Sequence, residues 1–184
     1  MATYTRLAFR EIYRNPWVGV EVHQIVHPNG LHGEHVLIAT PAAVGVVLVD
    51  GNDVILARQP RFGAGSDVVE IVKGGSDGHE TTLEAITRET REELGISAAA
   101  WTPLGFAYEI PSIMKSPVFL FLATDLTQAE AQQEAVESIE AVRMPFCDAL
   151  RAVAAQEFND AVTALALTRA ALRLGYLTIG ARTR

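Results

Sequence analysis

Gly74-Gly-Ser-Asp-Gly-His-Glu80-Thr-Thr-Leu-Glu-Ala-Ile-Thr-Arg88-Glu89-Thr90-Arg-Glu92-Glu93-Leu-Gly95-Ile96 is a turn rich in small residues that runs into a short helical pattern. At 3.6 residues per turn, Leu83, Ile86, Thr90 and Leu94 share one face, which is expected to be buried. Thr90 then sits in the core, its methyl packed and its hydroxyl bonded to the carbonyl of Ile86 at a small cost in helix stability. Glu89 and Glu93 are four apart and lie one above the other beside the apolar stripe. Arg88 and Glu92 form the next such pair, and Arg88 can hold a carboxylate by a charge-assisted fork. Gly95 follows the last turn as a C-cap glycine. Carboxylates grouped this way suit a hard divalent cation, because Mg²⁺ and Mn²⁺ prefer oxygen ligands. A solvated face with weak ion pairs would explain any one of these residues. It does not explain glycines, glutamates and arginine in this order together.

Outward from that stretch, the pattern is one of short strands. Val68 to Val72 reads as a strand entering it, so the carboxylates belong to a strand, loop, helix unit. Upstream, Val18 to Val26 and about His32 to Ala39 flank His27-Pro28-Asn29-Gly30, and Asn-Gly is a strong hairpin signal. Ala43 to Val49 and Val54 to Arg58 flank Asp50-Gly51-Asn52-Asp53, a second hairpin. Downstream, Trp101 to Tyr108, Val118 to Thr124 and Ser138 to Met144 read as strands. Helical stretches follow near Pro145 to Ala154 and Glu157 to Leu174, the second with Phe158, Val162, Leu165 and Leu172 on an apolar face. Residues 176–184 are expected to form a loose tail. No repeat or linker interrupts the pattern, so one domain is the simplest organisation. Strands and helices mix without regular βαβ alternation, which points to an α+β fold, an α/β/α sandwich on a mixed sheet.

The chain of 184 residues is 49% hydrophobic and 20% charged, the composition of an ordinary soluble globular protein. Its formal net charge of -7 argues against general nucleic-acid binding, which wants a basic footprint. It also gives an anionic substrate little long-range steering, so a bound metal must supply positive charge locally. The single Cys147 has no partner for an internal disulfide, consistent with a cytoplasmic location; a buried structural thiol is its default role. The longest apolar run, Ala42 to Val49, is too short to span a bilayer, and the N-terminus lacks signal-peptide order.

The quoted stretch resembles the Nudix box: Gly74, Glu80, Arg88, Glu89, Glu92, Glu93, Gly95 and Ile96 stand where that family's pattern wants them. Thr90 departs, sitting where the family usually has an aliphatic residue. From Asn15-Pro16-Trp17 to about Leu174 the chain is further similar to the ADP-ribose pyrophosphatase and ADP compounds hydrolase branch. Arg58-Gln59-Pro60-Arg61 looks like that branch's Arg-Gln-x-Arg strand end. Glu70-Ile71-Val72-Lys73-Gly74 is similar to its Glu-Leu-Pro-Ala-Gly entry, with Val72 for the proline and Lys73 for the alanine. Lys73 and Glu157-Phe158-Asn159-Asp160-Ala161 resemble the ADP compounds hydrolases in particular.

The resemblance implies hydrolysis of a nucleoside diphosphate linked to another group; for ADP-ribose the products would be AMP and ribose 5-phosphate. It implies Mg²⁺, or Mn²⁺, held by Glu89 and Glu93, with Glu92 sharing a second ion and the Lys73 backbone carbonyl completing the shell. Arg88 would orient the glutamates. Glu80 would brace the loop or pair with a basic residue. An extra glutamate on a late loop serves as general base in this branch, and Glu137 fits best among Glu134, Glu137 and Glu140 by its spacing to Ile139; Glu92 is the next candidate. Arg61 and Arg58 are candidate diphosphate contacts, or ordinary strand-end residues. Trp17 either stacks on a base or packs in the core. Lys115, in Pro111-Ser112-Ile113-Met114-Lys115-Ser116, is a candidate phosphate contact on a substrate-side loop. Related enzymes are homodimers that exchange N-terminal strands, and residues Val18 to Ala39 are long enough to do so. Two other readings stand beside the leading one. The first is a pyrophosphatase for another nucleoside diphosphate sugar or a dinucleotide. The second is a non-catalytic module that senses such a nucleotide, against which the intact box glutamates argue.

Overall fold

The computed structural model describes residues 3–133 and 138–180. Ten strands and three helices are assigned among them. The first three strands, β1 (Thr5–Arg14), β2 (Gly19–Val26) and β3 (His32–Ala39), form their own antiparallel sheet. The remaining strands are β4 (Ala43–Asp50), β5 (Asp53–Arg61), β6 (Ser66–Glu70), β7 (Val72–Gly75), β8 (Ile96–Tyr108), β9 (Pro117–Gln128) and β10 (Glu140–Pro145). They make a seven-stranded sheet with the path β10-β5-β4-β9-β8, on which β6 pairs with β5 and β7 with β4. The β4–β9 pair is parallel and the other pairs are antiparallel, so the sheet is mixed, as the sequence pattern predicts.

Helices cover both faces of this sheet, and β4 shows why. Successive strand side chains point to opposite faces. Val44, Val46 and Leu48 pack with Ala85, Ile86 and Leu94 of α1 (Thr82–Leu94). Val47 and Val49 pack on the other face with Phe146 and Ala149 of α2 (Phe146–Ala154) and Ala166 and Leu167 of α3 (Ala161–Leu174). Nearly all of these side chains are sealed from solvent, each large one contributing about 1.5–3 kcal/mol of burial. The result is the expected α/β/α sandwich.

Two details place the site. First, the stretch from Ser66 to Gly75 is not one strand but two. It runs beside β5 as far as Glu70, breaks at Ile71, and crosses to pair with β4 from Val72 to Gly75. That crossing delivers Gly74 to the end of the sheet beside α1. Second, α1 has strong ends. Thr81 caps it and exchanges hydrogen bonds with Glu84 in a capping box, and Gly95 closes it in the left-handed region at φ 63°.

The structure departs from the sequence pattern in several places. β1 was not expected; its register is broken by bulges between Arg6 and Ala8 and between Glu11 and Tyr13, which destroys the alternation that marks a strand. Leu83 is 41% exposed and leaves the buried face to Ile86, Thr90 and Leu94. Cys147 is exposed, not buried, because α2 turns Phe146 and Ala149 inward. Helix α3 starts at Ala161, later than Glu157, because Asp160 is its N-cap. In the predicted tail, Tyr176 stacks on Phe146 with centroids 4.8 Å apart, whereas residues 181–184 lie outside the described residues. No helix among the described residues is long and apolar enough to cross a membrane.

Candidate active site

The site is organised around one guanidinium. Arg88 Nη1 donates to Glu89 Oε1 at 2.8 Å and to Glu92 Oε2 at 3.0 Å. Its Nη2 donates to Glu80 Oε1 at 2.8 Å and to the Gly75 carbonyl at 3.0 Å, and Nε reaches Glu80 Oε2 at 3.3 Å. Three carboxylates and a strand carbonyl thus share one cation. The hydrogen bond to Glu80, followed by those to Glu89 and Glu92, holds Arg88 more firmly charged than usual, against the opposing effect of burial. Glu80 is held below the ordinary carboxylate range by Arg88 first, then by the backbone N–H of Asp77, which it accepts at 3.1 Å. Glu80 therefore braces the loop between β7 and α1 and pairs with a basic residue.

Glu89 lies against Gly74. A β-carbon at Gly74 would stand 2.0 Å from Glu89 Cδ and 2.3 Å from Oε1, so only glycine allows this approach. Glu93, one turn on, is 5% exposed beneath the surface of the helix. Thr90 is fully buried, and its hydroxyl donates to the Ile86 carbonyl at 2.6 Å, as its core position predicts. A cavity of about 760 Å³ opens over the cluster, lined by Arg88, Glu89 and Glu92 on one side and by Trp17, Pro41 and Asp77 on the other. A second cavity of about 290 Å³ shares Trp17, Pro41 and Gly75 with it and reaches Lys73 and Glu109.

The donor set fits a hard divalent cation: every polar atom that Glu89, Glu92 and the β7 backbone can present for ligation is oxygen. The Gly74 cradle seats one of those carboxylates. The side chains do not converge on a point, however. Among the described residues no three carboxylates or imidazoles are grouped so as to hold an ion. Glu89 and Glu92 are turned to Arg88, and sharing a metal would require them to swing from it.

The other expected site residues fall in different places. Trp17 is 72% exposed at the cavity rim, so the core reading of this residue does not hold. Its backbone turn is fixed by Asn15 Oδ1, which accepts from the N–H of Trp17 at 2.9 Å and of Val18 at 2.7 Å. Arg58 pairs across the strands with Glu140 at 3.2 Å on the surface. Arg61 donates to Glu70 through Nε at 2.7 Å and Nη2 at 2.5 Å. Lys115 is 3.3 Å from both oxygens of Glu21. It lines a third cavity of about 500 Å³ with Tyr4, His23 and His35, apart from the box. Arg58, Arg61 and Lys115 are thus absent from the wall of the box cavity. Glu134 and Glu137 lie outside the described residues. The segment before them is tied to the end of α1: Gln132 N–H donates to the Glu92 carbonyl at 3.0 Å, and Gln133 Nε2 to the Glu93 carbonyl at 2.7 Å and the Ile139 carbonyl at 2.8 Å.

Two features escaped the sequence pattern. The Thr81-x-x-Glu84 spacing is itself a capping-box signal and announces the start of α1. The buried Glu70, with Arg61, Lys73 and Asp160 around it, has no local spacing signal, because its members come from four separate elements or junctions.

Known proteins resemble this chain in sequence and in fold. The NUDIX domain family matches residues 39–165. The chain is 29% identical over 164 residues to an ADP-ribose pyrophosphatase of Bacillus subtilis (strain 168), covering 88% of this chain and 89% of that protein. It is 31% identical over 129 residues to an ADP compounds hydrolase of Escherichia coli (strain K12), covering 69% of each. A crystal structure of an ADP compounds hydrolase superimposes with a TM-score of 0.84 at 26% identity, covering 94% of this chain and 95% of the other.

Proposed function

This chain belongs to the Nudix family, and from that premise we propose that it hydrolyses the diphosphate linkage of ADP-ribose or a related ADP compound, giving AMP and a phosphorylated moiety. The observation that carries the reading is the Arg88 fork, which gathers Glu80, Glu89 and Glu92 beside Gly74 at the wall of a nucleotide-sized cavity. The relatives named for these substrates supply the chemical class.

The enzyme is dependent on a divalent metal, and we assign Mg²⁺, with Mn²⁺ as a substitute. Glu89 and Glu93 are the proposed ligands, with Glu92 and the Lys73 carbonyl beside them. When bound, the metal neutralises the diphosphate and lowers the pKa of an attacking water. Arg88 holds Glu80, Glu89 and Glu92 in line by its hydrogen bonds, and Glu89 and Glu92 would leave it to serve a bound metal. A general base, proposed as Glu137, takes a proton from the water as its oxygen bonds to phosphorus and the bridging P–O bond breaks. Trp17, exposed at the rim, is the proposed stacking partner of the base. Arg61 and Arg58 would reach a diphosphate only by exchanging Glu70 and Glu140 for it, and Lys115 only by leaving Glu21.

We place the enzyme in the cytoplasm as a homodimer. The dimer is supported by β1, which exposes Leu7, Phe9, Ile12 and Tyr13 by half or more along an unpartnered edge of the N-terminal sheet. The functional test is AMP release from ADP-ribose in Mg²⁺, abolished by chelation. A panel of NADH, diadenosine polyphosphates and GDP- or UDP-sugars sets the preference. Binding of these compounds without hydrolysis of any would replace the enzyme by a sensor.

A further inference from the structure

We propose that the Lys73 ammonium is a positioning residue for the metal site: it locks the end of β7 so that Gly74 meets Glu89. The inference rests on the metal-dependent reading above, but the side chain itself pairs with Glu70 and Asp160 and not with the carboxylates that line the box cavity.

Glu70 carries a carboxylate only 2% exposed. A charge taken that far from water persists only when paired and hydrogen-bonded. Its Oε1 accepts from Gln59 Nε2 at 2.8 Å and from Arg61. Its Oε2 is met by Lys73 Nζ at 2.8 Å. The same ammonium lies 2.9 Å from Asp160 Oδ1. Asp160 is the N-cap of α3, and its Oδ2 accepts from Thr163 N–H at 2.8 Å and from the Thr163 hydroxyl at 2.6 Å. That hydroxyl oxygen in turn accepts from the backbone N–H of Ile71 at 3.0 Å.

These contacts form a closed ring. It runs from Lys73 to Asp160, to Thr163, to Ile71, and back along the chain to Lys73. Strand alternation gives the ring its consequence. Ile71 packs on the α3 face and Val72 on the α1 face. Lys73 returns to the α3 face, where it meets Asp160, and Gly74 comes back to α1, where it meets Glu89. The residue opposite Lys73 in β4 is Gly45, and a β-carbon there would crowd Ile71 Cδ1 at 2.9 Å, so the glycine leaves Ile71 its place on the α3 face. The strand end is therefore anchored on one face one residue before it must hold register on the other, and α3 holds it at two points, the Ile71 N–H and the Lys73 ammonium.

The test uses the full chain and Mn²⁺ as the probe, with free Mn²⁺ counted by electron paramagnetic resonance in the absence of substrate. Lys73→Met keeps the stem and removes the charge. Asp160→Asn keeps a capping side chain and removes the other end of the link. Arg143→Met, which breaks a surface pair with Asp50 and Asp53, is the control. The expected result is a Mn²⁺ Kd raised about 10- to 100-fold in Lys73→Met and in the same direction in Asp160→Asn, with Arg143→Met unchanged. The double variant should be less impaired than the product of the singles, because both break one link. At saturating Mn²⁺, kcat should return to within about threefold of wild type, since the ammonium acts through the backbone and not on the reacting atoms. A role confined to stability would lower Tm and leave Mn²⁺ affinity alone, and that outcome overturns the proposal. Should Lys73→Met fail to fold, Asp160→Asn decides by the same criterion. Wild-type protein that binds Mn²⁺ and hydrolyses ADP-ribose, beside variants of unchanged Kd, sinks only this inference. Wild-type protein that binds no Mn²⁺ sinks it together with the functional reading.

Discussion

Gly74 and Glu89 are in contact across the β7–α1 junction, so close that a β-carbon on Gly74 would lie 2.0 Å from the Glu89 carboxyl carbon. The glycine of the box is thus a seat for a glutamate of the box. Gly74→Ala is expected to push Glu89 out of line, lowering turnover by at least about tenfold. The same overpacking should cost about 1–3 kcal/mol of stability. Hydrolysis of ADP-ribose and urea unfolding would be measured side by side. Turnover within twofold of wild type would mean that the seat is dispensable.

Glu93 is the most deeply placed of the box glutamates, at 5% exposure. Replacing it with the isosteric neutral amide removes the charge of a proposed metal ligand without changing volume. Glu93→Gln is expected to lower turnover by at least about a hundredfold with an unchanged circular dichroism spectrum. Near-normal turnover would remove Glu93 from the ligand set.

Thr90 stands where the family usually carries an aliphatic residue, and the structure shows why this is tolerated. The side chain is fully buried among core residues and its hydroxyl bonds back to Ile86. Thr90→Val trades a hydrogen bond of net value about 0.5–1.5 kcal/mol for a buried methyl of about 0.8 kcal/mol. The two nearly cancel, so stability should change by less than about 1 kcal/mol and kcat/KM not at all. A large loss of activity at constant Tm would show that Thr90 touches the reaction.

The fold was legible wherever periodicity was clean. Both hairpins, the box helix with its Gly95 cap, and the buried run of β4 come straight from alternation, Asn-Gly or Asp-Gly turns, and the 3.6-residue stripe. It was not legible where register breaks. The two bulges of β1 scramble its alternation, and the crossing at Ile71 divides one apparent strand into two. The box was legible because its residues are local and each spacing has a geometric meaning. The Glu70 network was not, because Gln59, Arg61, Lys73 and Asp160 meet only after the sheet and α3 are assembled. Arg61 shows the limit clearly: its sequence position suggests a diphosphate contact, yet its guanidinium is spent on a buried carboxylate.

Asp160 makes a prediction in pH. Burial alone would raise its pKa, but the Lys73 ammonium and the Thr163 donors outweigh that and hold it below its ordinary value of 3.8. A carboxyl group depressed in the folded state contributes stability that is fully present above its unfolded pKa. That contribution is lost as pH falls from there through the folded value. Wild-type stability should therefore fall more steeply below about pH 4 than that of Asp160→Asn, whose side chain does not titrate. Urea midpoints between neutral pH and pH 3 would be compared. Parallel curves for the two proteins would show that the link carries no charge-dependent stability.

The general base is tested by three glutamates close in sequence. Glu137→Gln should lower kcat by about 10²–10⁴-fold with little change in KM, because a base acts in the transition state and not in substrate binding. Mn²⁺ affinity should fall only modestly, since Glu89 and Glu93 remain. Glu134→Gln and Glu140→Gln are the controls. Glu140 begins β10 and pairs with Arg58 at the surface, so its amide should leave kcat within about twofold, the range expected of an exposed ion pair. If all three variants behave alike, the segment is a solvated acidic stretch. If Glu137→Gln keeps kcat within about threefold of wild type, well short of the general acid–base range, the base lies elsewhere. Glu92 is then next. Its carboxylate is 40% exposed at the cavity wall and shares Arg88 with Glu89, so it can turn toward a water without leaving the site. Glu92→Gln should in that case show the loss of kcat at constant KM that Glu137→Gln lacks.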